Sequence, residues 1–281
     1  MTRGKGTRWL GAAAMGTLGI AVLMVMIVPA SAASAPAIVH TVMITAPYTG
    51  AYSNPSMSVS TSGCGTAAVI TAPFWHARTG DGGFSGRASG SSCAPIYSGS
   101  GYTTLGFTSY VPIVAMPGHD KIVVKWALDV TGAESIHSGA CRVTSTTNYS
   151  ECYESASSSL SGYAYLVDLT NGSYLGSSTT YWNGTGASSY ALQYCYSGNC
   201  STYAYGGTGG TFALHGNVAW TFHVHGMLAT HQYELVQSFT GYVSASSSVY
   251  GSATLQHGHA SAWLNAGTFG NGIRLASITI T

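Results

Sequence analysis

Apolar and polar residues alternate at a period of two after residue 32, and this alternation constrains the fold most. In the segment 122–130 every second residue from Ile122 to Val130 is large and apolar, whereas Lys125 and Asp129 lie between them. Successive side chains of a β-strand point to opposite faces, so the segment is predicted to be a half-buried strand. No segment after residue 32 shows the sustained 3.6-residue period of an amphipathic helix.

Similar patterns predict ten further strands. In the segment 219–225, Trp220, Phe222 and Val224 are expected to face the interior together. The pair Asn171-Gly172, which separates two of the segments, is typical of a β-hairpin turn. The predicted strands are residues 38–45, 67–72, 103–110, 163–169, 174–180, 212–215, 219–225, 233–239, 252–256 and 274–281.

Many short strands without helices between them favour an all-β antiparallel β-sandwich, of the jelly-roll or immunoglobulin-like double-sheet type. Two stretches rich in glycine and serine, residues 77–101 and 181–210, are predicted to be long loops pinned by disulfides. We expect residues 33–281 to form a single extracellular domain of this kind.

The first 32 residues have the pattern of a secretory signal peptide. Arg3, Lys5 and Arg8 form a basic start, and an uncharged apolar run follows from Leu10 to Val28. Small residues up to Ala32 then supply a cleavage site. Because the apolar run is also long enough to cross a bilayer, an uncleaved membrane anchor stays open as the alternative.

Charged residues are scarce. Asp, Glu, Lys and Arg make up 6% of the chain, against about 25% in an average soluble domain. No basic patch is present, so nucleic acid is not an expected partner. Tyrosine, serine and threonine hydroxyls are expected to dominate the surface, and the expected partners are cell-surface or envelope components, glycans or copies of the chain itself. A membrane contact is expected only through the N-terminal segment, if it is not cleaved.

All six cysteines follow the signal segment, which predicts disulfides in an oxidising compartment. Pairing neighbours in sequence gives Cys64–Cys93, Cys141–Cys152 and Cys195–Cys200, although six cysteines allow fifteen pairings. Metal binding by thiolates is not favoured, because no C-x-x-C spacing occurs. Acceptor sequons for N-glycosylation lie at Asn148, Asn171, Asn183 and Asn199.

Two pairs of histidines form a candidate metal site. His223 and His225 share one face of a predicted strand, as do His257 and His259. If these strands were neighbours, the four imidazoles, with Glu234 as a carboxylate, could bind a metal ion. The alternative is that histidine serves as a polar surface residue in a chain poor in lysine and arginine, and no other cofactor is predicted.

The second of the predicted loops carries a candidate binding platform. Tyrosine and tryptophan rings stack on sugars and offer polar groups for hydrogen bonds. The alternative is that these rings pack beneath the loop or against another subunit. The candidate residues are Tyr181, Trp182, Tyr194, Tyr196, Tyr203 and Tyr205.

Signals for catalysis are weak. Glu234 with Gln232 or Gln237 is a possible acid-peptidase pair, and Glu151 and Glu154 are expected to face solvent. The nucleophile-elbow, zinc-protease, phosphate-loop and dinucleotide motifs are all absent. We therefore expect a non-catalytic protein that acts in envelope structure, adhesion or glycan binding, the alternative being a secreted hydrolase.

The segment 38–45 could also add to the sheet edge of another copy.

Overall fold

A computed structural model of this chain describes residues 41–93, 98–137, 140–143, 150–196, 199–205, 209–224, 226–250, 253–256, 258–267 and 272–281. Within these ranges only the backbone is described for residues 140–143, 150, 176–186, 188–195, 199–205 and 253–256. The predicted signal peptide, residues 1–32, lies outside the described part. No helix among the described residues is long and apolar enough to cross a membrane.

The described residues form strands and turns, without a helix, and every strand pairing is antiparallel. The all-β antiparallel prediction is confirmed. The strands are β1 (Val42–Ile44), β2 (Tyr52–Gly63), β3 (Thr66–His76), β4 (Asp81–Ser91), β5 (Gly99–Ile113), β6 (Lys121–His137), β7 (Ala140–Val143), β8 (Ser150–Asp168), β9 (Ser173–Tyr196), β10 (Asn199–Tyr205), β11 (Gly209–His223), β12 (Tyr233–Tyr250), β13 (Ala253–Gln256), β14 (His259–Asn265) and β15 (Ile273–Ile280).

Two large sheets contain most of these strands. The seven-stranded sheet has the order β1-β15-β4-β14-β6-β11, with β3 paired to β4, and β15 also pairs with β6. The six-stranded sheet has the order β10-β9-β8-β12-β5-β2, and β13 pairs with β7 in a small ribbon. Val42–Ile44, from the segment proposed for exchange between copies, pairs with Ile278–Ile280 of its own chain.

The core lies between the inner faces of the two large sheets. As the alternation predicts, every second residue of β6 from Ile122 to Val130 is at most 3% exposed. Trp126 of β6 packs edge-on against Phe239 of β12, with ring centroids 4.7 Å apart, and Trp220 of β11 packs against the same ring at 5.5 Å. Each such buried ring contributes roughly 1.5–3 kcal/mol of hydrophobic stabilisation, so this aromatic cluster joins the two sheets.

The inner face of β12 also has a glycine at which any side chain would collide with the opposite sheet. A Cβ at Gly241 would overlap the side chain of Leu264 in β14 and would lie 2.5 Å from the Phe84 ring in β4. Both residues are buried and belong to the opposite sheet. The missing side chain therefore lets that sheet approach the backbone of β12.

The predicted hairpin at Asn171-Gly172 is confirmed. Strand β8 ends at Asp168, and β9 begins at Ser173 directly opposite it. Gly172 has a φ of 72°, and the side-chain oxygen of Asn171 accepts a hydrogen bond from the backbone N–H of Ser173 at 2.9 Å. Asn171, one of the predicted sequons, is exposed in this turn.

Both predicted long loops are wrong. The stretch 77–101 contains all of β4 and the start of β5, and its Phe84 is fully buried in the core. Glycines recur there because neighbouring strands approach closely: a Cβ at Gly86 would lie 2.6 Å from the Leu105 side chain, and one at Gly90 would lie 2.5 Å from the carbonyl oxygen of Gly99. The described residues of the stretch 181–210 belong to β9, β10 and the start of β11. The two predicted strands 212–215 and 219–225 are parts of one strand, β11.

The disulfide Cys64–Cys93 is confirmed, and its Cα atoms lie 6.1 Å apart. It ties the turn after β2 to the end of β4. Cys152 is buried and is also disulfide-bonded. The register of β9 and β10 places Cys195 directly opposite Cys200, but the pairings Cys141–Cys152 and Cys195–Cys200 stay predictions.

Candidate functional site

The outer face of the six-stranded sheet carries a row of tyrosines that comes from strands distant in sequence. In the register, Val236 of β12 lies between Tyr165 of β8 and Tyr110 of β5, and Tyr52 of β2 lies opposite Tyr110. Residues directly opposite in antiparallel strands point to the same face, with Cβ atoms about 5 Å apart. The rings of Tyr52 and Tyr110 stack at 4.6 Å and are nearly parallel, at 6°.

Two further tyrosines extend this row. Tyr163 stacks with Tyr165 at 5.9 Å and 5°, and Tyr174 of β9 meets Tyr165 edge-on at 5.3 Å. Tyr52 and Tyr174 are 52% and 72% exposed, whereas the other rings are half-buried. We refer to this surface as the tyrosine face, which consists of Tyr52, Tyr110, Tyr163, Tyr165 and Tyr174.

The carboxyl group of Glu234 lies close to Tyr52 and Tyr165 of the tyrosine face. Glu234 is on the outer side of β12, two residues before Val236, and burial raises its pKa above the usual range. The pKa of Tyr165 is also raised, first by burial and then by the neighbouring tyrosines and Glu234. Glu234 therefore keeps its proton to a higher pH than an exposed carboxyl group does, and the protonated forms of both groups can donate a hydrogen bond.

Hydroxyl groups continue the same outer face beyond the tyrosines. Serines pair across β8 and β12, where Ser155 meets Ser246 and Ser157 meets Ser244, both at 2.8 Å. The strands of this sheet contain no lysine or arginine. The described outer face is thus a nearly uncharged surface of rings and hydroxyls, which suits stacking against a ring and hydrogen bonding to its substituents.

The strands that carry the predicted platform, β9 and β10, belong to the same sheet. Tyr181, Trp182, Tyr194 and Tyr196 are residues of β9, and the register places Tyr181 opposite Tyr163. Tyr196 is 63% exposed. The other five candidate side chains, including Tyr203 and Tyr205 of β10, lie outside the described part.

Sequence reasoning missed all five members of the tyrosine face. One signal was present, because Tyr163 and Tyr165 are two residues apart in a predicted strand and therefore share a face. Tyr52 and Tyr110 gave no such signal, since their meeting depends on the pairing of β2 with β5.

The structure does not bring the described histidines of the candidate metal site together. His223 lies opposite Lys121, and His259 lies opposite His137, at the two ends of β6. His225 and His257 lie outside the described part, and Glu234 belongs to the other sheet. Among the described residues, no three His, Cys, Asp or Glu side chains are grouped to hold a metal ion.

The candidate catalytic pair of Glu234 and Gln237 is not assembled either. Glu234 lies on the outer side of β12, whereas Gln237 is fully buried on the inner side, and Gln232 is exposed before the strand begins. Glu154, expected in solvent, is 2% exposed because it lies on the inner side of β8. Of the predicted sequons, Asn183 and Asn199 are residues of strands, and Asn148 lies outside the described part.

Neither the comparison with protein-family models nor that with curated proteins found a match to this chain. Its function must therefore be inferred from the geometry of its own surface.

Proposed function

We propose that this protein is a secreted or cell-surface β-sandwich that binds neutral carbohydrate on the tyrosine face, without catalysis. The observation that carries the proposal is the stacked, partly exposed pair Tyr52 and Tyr110 on a sheet face whose strands contain no lysine or arginine. The signal-like N-terminus and the Cys64–Cys93 disulfide support a location outside the cell.

Carbohydrate is the ligand class that fits this surface best. The C–H face of a pyranose packs on a flat aromatic ring, and its hydroxyls need hydrogen-bond partners around that ring. Here the partly exposed Tyr52 ring, held by stacking on Tyr110, supplies the aromatic surface, and Glu234 and the phenol groups supply hydrogen-bonding groups. A neutral sugar is favoured because the described face offers no cation for an acidic one.

The proposal is tested by screening the exported protein on a glycan array and measuring the hits by calorimetry. Tyr52→Ala and Tyr174→Ala are expected to weaken binding about tenfold or more, as is typical for aromatic anchors. Tyr52→Phe should retain most of the affinity because it keeps the ring. Tyr250→Ala is the matched control, since Tyr250 is 69% exposed at the other end of β12.

Three outcomes would contradict the proposal. If Tyr52→Ala and Tyr174→Ala bind the glycan as tightly as Tyr250→Ala does, the binding site lies elsewhere. If the protein binds no glycan at all, carbohydrate is not its ligand. Shorter sugars released from a bound oligosaccharide would show a hydrolase instead of a binding protein.

A further inference from the structure

A second feature lies on the outer face of the seven-stranded sheet. There, β3, β4 and β14 form a shallow depression of about 580 Å³, which is lined by Thr66, Arg87, Ala88, Ser89, Ser261, Ala262 and Trp263. We infer that this depression binds a sugar that carries a carboxylate, such as a uronic acid. The inference does not depend on the tyrosine face, which belongs to the other sheet.

An aromatic ring and a guanidinium group stand side by side in this depression. Trp263 of β14 lies directly opposite Arg87 of β4 in the antiparallel register, so their Cβ atoms are about 5 Å apart on the same face. Both side chains are exposed, Trp263 by 44%, whereas Ala88 and Ala262 beside them are buried. The side chains of Ala88 and Ala262 face the core, so the Arg87 and Trp263 side chains rise from the strand backbone at these positions.

The positive charge of Arg87 has no carboxylate beside it among the described residues. Its cross-strand neighbours are Ala68 and Trp263, and Ser85 and Ser89 flank it on the same side of β4. In a chain with so few lysines and arginines, an exposed guanidinium next to a tryptophan is well placed for an anionic ligand. The planar fork of arginine matches a carboxylate with two parallel hydrogen bonds.

The remaining groups of the depression favour a sugar over a simple anion. The Trp263 ring offers an apolar surface for one face of a pyranose. Thr66 and Ser89 are hydrogen-bonded to each other at 2.7 Å on one side of the depression, and Ser261 adds a further hydroxyl to its lining. A single cation also matches the single carboxylate of a uronic acid, whereas a polyanion would need several.

The test is a calorimetric titration of the whole protein with a trisaccharide that carries one galacturonic acid residue and with the same trisaccharide after reduction of its carboxyl group. We expect the acidic form to bind at least about tenfold more tightly than the reduced form. Arg87→Gln should abolish this difference in affinity, and Trp263→Ala should weaken the binding of both sugars. Lys125→Gln is the matched control because it removes an exposed cation from the same face outside the depression.

Three outcomes would overturn the inference. Equal affinity for the acidic and the reduced trisaccharide would remove the role of the carboxylate. Equal losses in Arg87→Gln and Lys125→Gln would indicate diffuse electrostatic attraction. Displacement of the sugar by an equal concentration of inorganic phosphate would indicate an anion site without sugar specificity. The variant Tyr52→Ala should leave the binding of the acidic sugar unchanged, which separates the inference from the proposed function. An unchanged circular dichroism spectrum would confirm that each variant is folded.

Discussion

The imidazole Nδ1 of His231 lies 2.6 Å from Oδ2 of Asp168, and this contact joins the turn after β8 to the segment before β12. The other carboxylate oxygen accepts the backbone N–H of Thr170 at 2.9 Å. The hydroxyl of Thr170 in turn accepts the backbone N–H of Gln232 at 3.0 Å. Asp168 thus holds together two segments at the same end of the six-stranded sheet.

Replacing Asp168 with Asn should lower the melting temperature by a few degrees at neutral pH. Burial opposes ionisation of Asp168, but the hydrogen bonds from His231 and from the backbone outweigh it, and the pKa lies below its usual value of 3.8. A carboxyl group with a lowered folded pKa stabilises the protein above its unfolded pKa, and this stability is lost as the pH falls through the folded pKa. The measurement is thermal unfolding of both proteins between pH 7 and pH 2. A difference that persists unchanged at the acidic end would contradict the assignment.

Glu234 should show the opposite pH dependence. Because burial raises its pKa above 4.5, the folded state holds the proton longer than the unfolded state does. Its contribution is therefore fully present below pH 4.5 and is lost as the pH rises through the folded pKa. Glu234→Gln, which stays neutral, is expected to gain melting temperature relative to the wild type as the pH rises from 4 to 7. A constant difference over this range would show that Glu234 is not perturbed.

Much of the fold follows from local alternation, whereas the surface sites do not. The inward faces of β6 and β11 could be predicted because Ile122–Val130 and Trp220–Val224 repeat at a period of two. Strand β4 was missed because its small residues resemble a loop, and their role becomes visible only with the opposite sheet in place. The pairs Tyr52–Tyr110 and Arg87–Trp263 depend on long-range register, which no local pattern specifies.

The variant Gly241→Ala should destabilise the fold by about 1–3 kcal/mol, the usual cost of overpacking a core. The added methyl would collide with Leu264 and with the Phe84 ring. Urea unfolding measures the loss. The double variant with Leu264→Ala should show a coupling that recovers part of the loss, because the smaller side chain makes room. Strictly additive losses would contradict the contact.

Loss of the Cys64–Cys93 disulfide should cost about 3–4 kcal/mol, from the entropy of closing a loop of about 30 residues in the unfolded chain. The cysteines are 29 residues apart in sequence. The double variant Cys64→Ser/Cys93→Ser, compared with the wild type by urea unfolding, measures the cost. Thiol titration of the native wild-type protein should find neither cysteine free. A reactive thiol at either position would contradict the pairing.

Gln237 offers a stabilising substitution. Its amide is fully buried on the inner side of β12, and neither polar atom has a hydrogen-bond partner among the described residues. Replacing such a group with an apolar side chain of similar size removes the cost of its desolvation, which is about 1–3 kcal/mol. Gln237→Met is therefore expected to raise the free energy of unfolding, whereas Gln232→Met, at an exposed position, should leave it nearly unchanged. Urea unfolding measures the free energy of unfolding of both variants. A loss of stability in Gln237→Met would show that the amide is hydrogen-bonded in solution.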